Sequence, residues 1–320
     1  MSQTPGWPSD DVRPPDGRAW DLLVVGGGTA GIVAARTAAG FGASVLLVER
    51  ARTGGDCLWT GCVPSKALLA AAHAVSAARA AGRYGVTVDG VRPDFTAVMA
   101  HVHDRIAAIE PEDAPATLRA TGARVARATV RFTGPDTAAL TATGGVRFRR
   151  AVLATGSTPT VPPVPGLAQA RPLTSDTVWG LTTLPERLLV LGGGAIGCEL
   201  GQAFSRLGSQ VTLVEGADRL LPREDPEAGG RLRAALMRDG IDVRVGVALA
   251  SVEPVTTGGT TGGGAALLAD DTRVDFDRVL VAVGRTPRTS DLGHDLAGVA
   301  LDERGFVVVD ATLRTTSPRV

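Results

Sequence analysis

The sequence predicts an α/β protein of two domains, each built on a parallel sheet. Three observations predict it. The chain has 320 residues, against roughly 100–200 for a typical domain. A strand, glycine loop, helix and second strand begin near residue 21, and the same unit recurs near residue 187. In both copies a glutamate stands 23 positions past the first glycine.

Asp21–Val25 is a short apolar run ending in three glycines, as buried parallel strands do. Thr29–Gly40 is Ala-rich and helix-prone, and Ser44–Val48 is a second apolar run closed by Glu49. Together they form a β-α-β unit of about thirty residues. After Gly54-Gly55 a helix is expected from about Val63 to Ala81, with further helices over Asp94–Ile109 and Glu112–Ala120. Arg124–Phe132, Ala138–Ala142 and Val146–Leu153 read as strands with Gly-Pro and Gly-Gly turns between them. The stiff segment Val161–Gly166, VPPVPG, marks a domain boundary. The pattern then restarts: strand Arg187–Leu191, glycines, helix Ala195–Leu207, strand Gln210–Val214, Glu215. Thr256–Gly264, TTGGTTGGG, reads as a floppy hairpin tip, and Arg278–Val283 as a strand ending at Gly284.

Composition narrows the function. Lys+Arg and Asp+Glu are 33 each, so no charge excess advertises a nucleic-acid partner. Gly, at 41 residues, is nearly twice its usual share, which suggests many tight turns and close backbone approaches. Residues 1–18 are rich in Pro and charge and read as a disordered extension rather than a signal peptide. The longest apolar stretch, Leu22–Ala35, is too short for a membrane span. A cytoplasmic protein is therefore expected. There, cysteines are catalytic or metal-binding more often than structural.

Gly26, Gly28 and Gly31 stand in G-x-G-x-x-G register between strand and helix, with Glu49 ending the second strand. One glycine makes the turn, one admits a pyrophosphate to the backbone, and one lets helix and strand pack. The helix N-terminus favours the phosphate charge. The carboxylate accepts from ribose hydroxyls. Gly192, Gly194, Gly197 and Glu215 repeat the arrangement. Two Rossmann-like domains holding two dinucleotides are expected. Glu215 repels a 2′-phosphate, which favours NADH over NADPH, although Arg219 lies near enough in sequence to offset it.

Cys57 and Cys62 form a C-x₄-C pair. In one regular helix five residues rise about 7.5 Å, beyond the roughly 4.4–6.8 Å a disulfide spans. The pair can close only if Cys57 lies in a loop or the helix is distorted at its start, and Gly61 and Pro64 supply that irregularity. Two unlinked core thiols are the alternative. A helix start would lower the Cys62 pKa. His73, His101, His103 and His294 show no ligand-like spacing to the pair, so no metal site is expected. Cys198 reads as a small core residue.

The segment Gly54–Leu68, GGDCLWTGCVPSKAL, resembles the redox-active segment of class I pyridine nucleotide-disulfide oxidoreductases, the FAD flavoenzymes that include dihydrolipoamide dehydrogenase and mercuric reductase. Ala154-Thr155-Gly156-Ser157 and Gly284-Arg285-Thr286-Pro287 fall in the family's order. The resemblance implies an FAD-binding domain over 19–165 that resumes over 289–320, and an NAD-binding domain over 166–288, with a small antiparallel meander in each. It implies a hydride passed from NAD(P)H through FAD to a Cys57–Cys62 disulfide and on to a disulfide or metal-ion substrate. Cys57 matches the thiol that attacks substrate and Cys62 the one facing the flavin. Lys66 matches the lysine beside the flavin, paired with the glutamate that Glu199 resembles. Gly55, Ala128, Thr155, Gly156 and Gly284 match cofactor-contact positions.

Several positions depart from the family pattern. Asp56 replaces the threonine common before the first Cys, and Trp59 replaces a smaller polar residue. Ala128 replaces a glycine, and Arg288 stands where Asn is usual. The sequence also stops short of the family's last FAD segment and its C-terminal dimerisation domain, so a truncated chain is expected. The intact family enzyme is a homodimer. The competing expectation is an FAD/NAD-binding fragment without disulfide turnover.

Overall fold

The structure, a computed structural model, describes residues 10–141, 144–257 and 260–320. The chain opens with β1 (Trp20–Val25), α1 (Thr29–Gly40), β2 (Val45–Glu49), α2 (Gly55–Trp59), α3 (Cys62–Arg79), α4 (Phe95–Asp113) and α5 (Pro115–Ala120). It continues through β3 (Arg124–Arg127), β4 (Val130–Gly134), β5 (Thr137–Leu140), β6 (Gly144–Leu153) and β7 (Ser157–Pro159). Then come β8 (Arg187–Leu191), α6 (Ala195–Leu207), β9 (Gln210–Glu215), α7 (Pro226–Arg238) and β10 (Asp242–Val245). The last strands are β11 (Leu249–Thr257), β12 (Thr260–Leu268), β13 (Arg273–Phe276), β14 (Arg278–Val281) and β15 (Arg285–Pro287).

These elements form two compact units. One comprises the residues up to Trp59 with Ala107–Thr158 and Thr286–Val320; the other comprises Thr60–Ile106 and Pro159–Arg285. Residues 60–106, which the sequence groups with the first nucleotide fold, thus cluster with the second. There α3 packs along α6, and the rings of Phe95 and Phe204 lie 6.0 Å apart.

The first unit is a six-stranded sheet in the order β3-β2-β1-β6-β5-β4. β3, β2, β1 and the C-terminal half of β6 run parallel, while the N-terminal half of β6 pairs antiparallel with β5. One long strand therefore joins the parallel sheet to the meander. Alternating side chains divide between two cores. Val24, Val45, Leu47 and Val125 pack with Ile32 and Ala35 of α1 and Leu118 of α5. Leu23, Val25, Leu46, Val48 and Ala126 pack with Phe132 and Phe148 and with Leu292, Ala297 and Val299 of the returning segment. Burial on both faces explains why β1 and β2 read as continuous apolar runs. The expected single strand Arg124–Phe132 is two: β3 pairs parallel with β2, its ladder ending at the Ala128 N–H on the Glu49 carbonyl at 3.1 Å, and β4 pairs antiparallel with β5. The last residues of the expected N-terminal extension are tied down: Asp10 pairs with Arg119 at 2.8 Å, and the Trp20 indole donates to the Val12 carbonyl. Residues 1–9 lie outside the described ones.

In the second unit β10-β9-β8-β14 form a parallel sheet and β11-β12-β13 an antiparallel one. The glycine-rich stretch expected to be a hairpin tip continues β11 and β12 through Thr257 and Thr260; residues 258–259 lie outside the described ones. α7 carries no motif that marks it in the sequence. It starts with an ordinary cap: the Asp225 side chain accepts from Glu227 N, with Pro226 in the first turn. No helix among the described residues is long and apolar enough to cross a membrane.

Candidate functional site

The two glycine loops are built alike, residue for residue. Gly26 and Gly192 take positive φ angles of 108° and 107°. A Cβ there would strike the carbonyl of Ala154 or of Ala282 on the neighbouring strand's exit. A Cβ on Gly31 would strike the Gly26 carbonyl oxygen, and one on Gly197 the Gly192 carbonyl oxygen. Helix and loop are therefore in backbone contact, which only glycine permits. Gly31→Ala and Gly197→Ala are each expected to cost about 3 kcal/mol through overpacking. That should lower the melting transition of the affected unit by roughly 6–12 °C. Calorimetry in which both variants melt like the parent would contradict this packing.

The glutamate after each second strand clamps its own loop. Glu49 accepts from Gly27 N at 2.7 Å and Ala51 N at 2.8 Å. Glu215 accepts from Gly193 N at 2.6 Å and Ala217 N at 2.8 Å. Each carboxylate oxygen has a second lone pair, so the clamp leaves acceptor capacity for a ribose. Arg219 is turned away from this duty: its guanidinium donates to the Pro222 and Glu224 carbonyls.

Both helices behind these loops begin uncapped. Gly28 is the N-cap of α1 and Gly194 that of α6, with no side-chain cap and no acidic residue in the first turn. Nothing lies within 4 Å of where a Gly194 side chain would begin. Uncapped amide N–H groups at a helix start form an anion site. α7 by contrast carries an aspartate cap, while α3 and α5 also begin without a side-chain cap. The donor sets thus fit two dinucleotides.

The cysteine segment is two helices rather than one. α2 ends at Trp59, Gly61 breaks the path, and Cys62 is the first residue of α3. The irregularity expected at Gly61 is there. Cys57 lies in α2, half-buried, and Cys62 is exposed; neither they nor the buried Cys198 are in a disulfide. Burial, with the Glu215 and Glu199 carboxylates adding to it, pushes the Cys198 thiol up to about 11, which keeps it protonated and inert.

Lys66 stands one turn beyond Cys62 on α3, and its ammonium meets both Glu199 oxygens of α6, at 2.8 and 3.1 Å. Both side chains are well exposed, so the pair adds little stability. It holds the ammonium in place. Other expected site residues have plainer surroundings. Ala128 is buried in the apolar core. Gly55 meets Gly28 backbone to backbone. Thr155 and Gly156 follow β6, with Gly156 at φ 68°. Gly284, at φ 145°, faces open space.

Sequence reasoning missed what braces the segment. The Trp179 indole donates to the Thr60 carbonyl at 3.0 Å and the Ser175 carbonyl at 2.7 Å, fixing the approach to Cys62. Arg52 lies over the Trp59 ring at 3.7 Å, and the Trp59 indole donates to the Thr53 carbonyl. Asp56 and Arg288, two departures from the family pattern, meet each other at 3.7 Å. No cluster of three metal-ligating side chains occurs among the described residues.

Two nucleotide-type glycine loops on parallel sheets, with a cysteine pair following the first, define the class, and the comparisons agree. The chain belongs to the pyridine nucleotide-disulphide oxidoreductase family, whose model matches residues 20–320. The family is FAD-dependent, with NAD(P)H as electron donor. A mercuric reductase of Streptomyces lividans is 38% identical over 312 residues, covering 94% of this chain and 64% of the relative. A dihydrolipoyl dehydrogenase of Thermus scotoductus is 37% identical over 313 residues, covering 95% and 65%. The HOCl-induced flavoprotein disulfide reductase RclA of Escherichia coli superposes with a TM-score of 0.80 at 26% identity, covering 94% and 64%. The chain thus spans just under two thirds of the length of these relatives.

Proposed function

We propose that this chain binds FAD in its first nucleotide fold and NADH in its second, and that Cys57 and Cys62 form the dithiol that reduces a small disulfide or a thiol-binding metal ion. The observation that carries the reading is the duplicated loop: two glycine turns in backbone contact with the helix that follows, each clamped by the glutamate that ends the next strand and each leading into an uncapped helix start. FAD, when bound, supplies the two-electron relay between a reduced nicotinamide and a disulfide. The Gly26–Gly31 loop and the α1 N-terminus hold its phosphates, Glu49 takes its ribose, and Gly55, Ala128, Thr155 and Gly156 supply the remaining contacts. Lys66, steadied by Glu199, offers a compact cation to the ring. Gly192, Gly194, Gly197, Glu215 and Gly284 serve the nicotinamide nucleotide in the same way.

The dithiol's own step balances simply. The Cys57 thiolate attacks one substrate sulfur and expels the other as a thiolate, forming a mixed disulfide. The Cys62 thiolate then attacks Cys57 and releases the second half. Substrate gains two electrons and two protons, and the pair closes to a disulfide.

A fixed Glu215 carboxylate, with Arg219 engaged elsewhere, disfavours a 2′-phosphate. FAD-loaded protein is expected to drive dye reduction with NADH at a kcat/KM at least about tenfold above NADPH, equivalent to about 1.4 kcal/mol. Glu215→Ala should narrow that gap. Equal use of the two nucleotides by the parent chain would overturn the preference, and absence of FAD uptake would overturn the whole reading.

A further inference from the structure

We infer that Trp59 is a positioning residue for the first glycine loop: its indole N–H braces a peptide group that in turn holds the Gly27 carbonyl. The inference rests, for its effect on flavin, on the reading of this loop as the FAD site. The contacts run without a gap. The Trp59 indole, at the end of α2, donates to the Thr53 carbonyl at 2.7 Å. The Gly54 N–H donates to the Gly27 carbonyl at 2.9 Å. The Thr53 carbonyl and the Gly54 N–H belong to the same peptide group, which is planar and stiff. One rigid unit therefore accepts from the indole at one end and donates to the loop at the other. Hydrogen bonds joined in this way polarise and strengthen one another.

Packing keeps the unit in register. Thr53 is buried, and its methyl group lies 3.2 Å from where a Gly27 side chain would begin. Gly54 takes a φ of 100°, and a Cβ on it would lie 3.1 Å from the indole nitrogen and strike Leu58. Only glycine lets the indole come this close. The Arg52 guanidinium covers one face of the ring at 3.7 Å, an attraction that disfavours its swinging away. Gly27 is thus held at both polar atoms, its N–H by Glu49 at 2.7 Å and its carbonyl by the braced peptide. The second loop reaches the same end by other means: the Gly193 carbonyl accepts from Leu221 N at 2.9 Å and from the Cys198 thiol at 3.4 Å. Leu221 N is therefore the counterpart of Gly54 N, and an internal control.

The test uses the full chain and two readouts, neither of them turnover. FAD-free protein is titrated with FAD by quenching of flavin fluorescence, and hydrogen exchange is followed at the Gly54 and Leu221 amides. Trp59→Phe keeps a ring beneath Arg52 and removes the donor. It is expected to weaken FAD binding about fivefold and to speed Gly54 exchange about fivefold, the loss of one hydrogen bond. Leu221 exchange should not change. Trp59→Gln places an amide nitrogen as many bonds from Cα as the indole nitrogen, so it should bring both readouts back toward the parent. A ring that serves only as packing would make Trp59→Gln the worse of the two. That order, equal speeding at Gly54 and Leu221, or unchanged FAD affinity in Trp59→Phe overturns the inference. If the parent takes up no FAD, the reading of the loop as a flavin site falls by itself, and the brace is judged on exchange: an unaltered Gly54 amide in Trp59→Phe overturns it. If Trp59→Phe fails to fold, Trp59→Gln decides, and Gly54 exchange faster than the parent's by about fivefold or more overturns the role of the donor.

Discussion

Cys57→Ser and Cys62→Ser are each expected to reduce NADH-driven disulfide reduction by about 10³-fold or more, as removal of a nucleophile does elsewhere. Serine keeps the size of the side chain but cannot form the mixed disulfide or close the pair. Dye reduction that needs only the two nucleotides should continue in both variants, which separates loss of the dithiol from loss of the fold. Cys198→Ser should leave both activities intact, since that thiol is buried and held protonated. The assay is NADH consumption with a soluble aromatic disulfide or with a redox dye as acceptor. Disulfide reduction at the parent rate in either active-pair variant would remove that cysteine from the mechanism. Dye reduction without disulfide reduction in the parent would leave a nucleotide-binding electron carrier as the better description.

Gly28→Glu is expected to weaken FAD binding by at least about 100-fold, or about 2.7 kcal/mol, while the fold survives. Gly28 has an extended backbone, φ −80° and ψ −175°, that any residue adopts. A Cβ there would meet only the Gly55 Cα, at an ordinary 3.6 Å. Glycine is thus not required for the turn itself. A glutamate would place a carboxylate on the uncapped N–H groups of α1, occupying and repelling the place of a pyrophosphate. The same carboxylate caps the helix, so the melting temperature should hold or rise while flavin is lost. Gly28→Ala is expected to have a much smaller effect. Flavin retained through gel filtration by Gly28→Glu would overturn the assignment of this loop.

Much of the fold was legible because short-range rules set it. Apolar runs buried on both faces gave β1, β2, β8 and β9 within a residue or two. The paired glycine loops were legible because their spacing reflects local backbone collisions at Gly31 and Gly197. α7 is less legible because its cap and Ala-Leu pattern carry no functional motif. The division into β3 and β4 depends on the partner each finds, β2 for β3 and β5 for β4. The pairing of Lys66 with Glu199 was expected only through family resemblance, because 133 residues separate them.

The sequence alone determined the residues of the candidate site: which glycines approach the backbone, which glutamates end the strands, and which cysteines share a segment. Local sterics and chain direction fix these, and they are written in spacing of a few residues. Tertiary structure decided what those residues do in place. Both glutamates clamp their own loops, Arg219 serves carbonyls instead of Glu215, Trp179 holds the carbonyl before Cys62, and Arg288 returns to meet Asp56. Each of these depends on which carbonyl or carboxylate the folded backbone presents to a side chain. That is a matter of a few ångströms in three dimensions, to which one-dimensional spacing is blind.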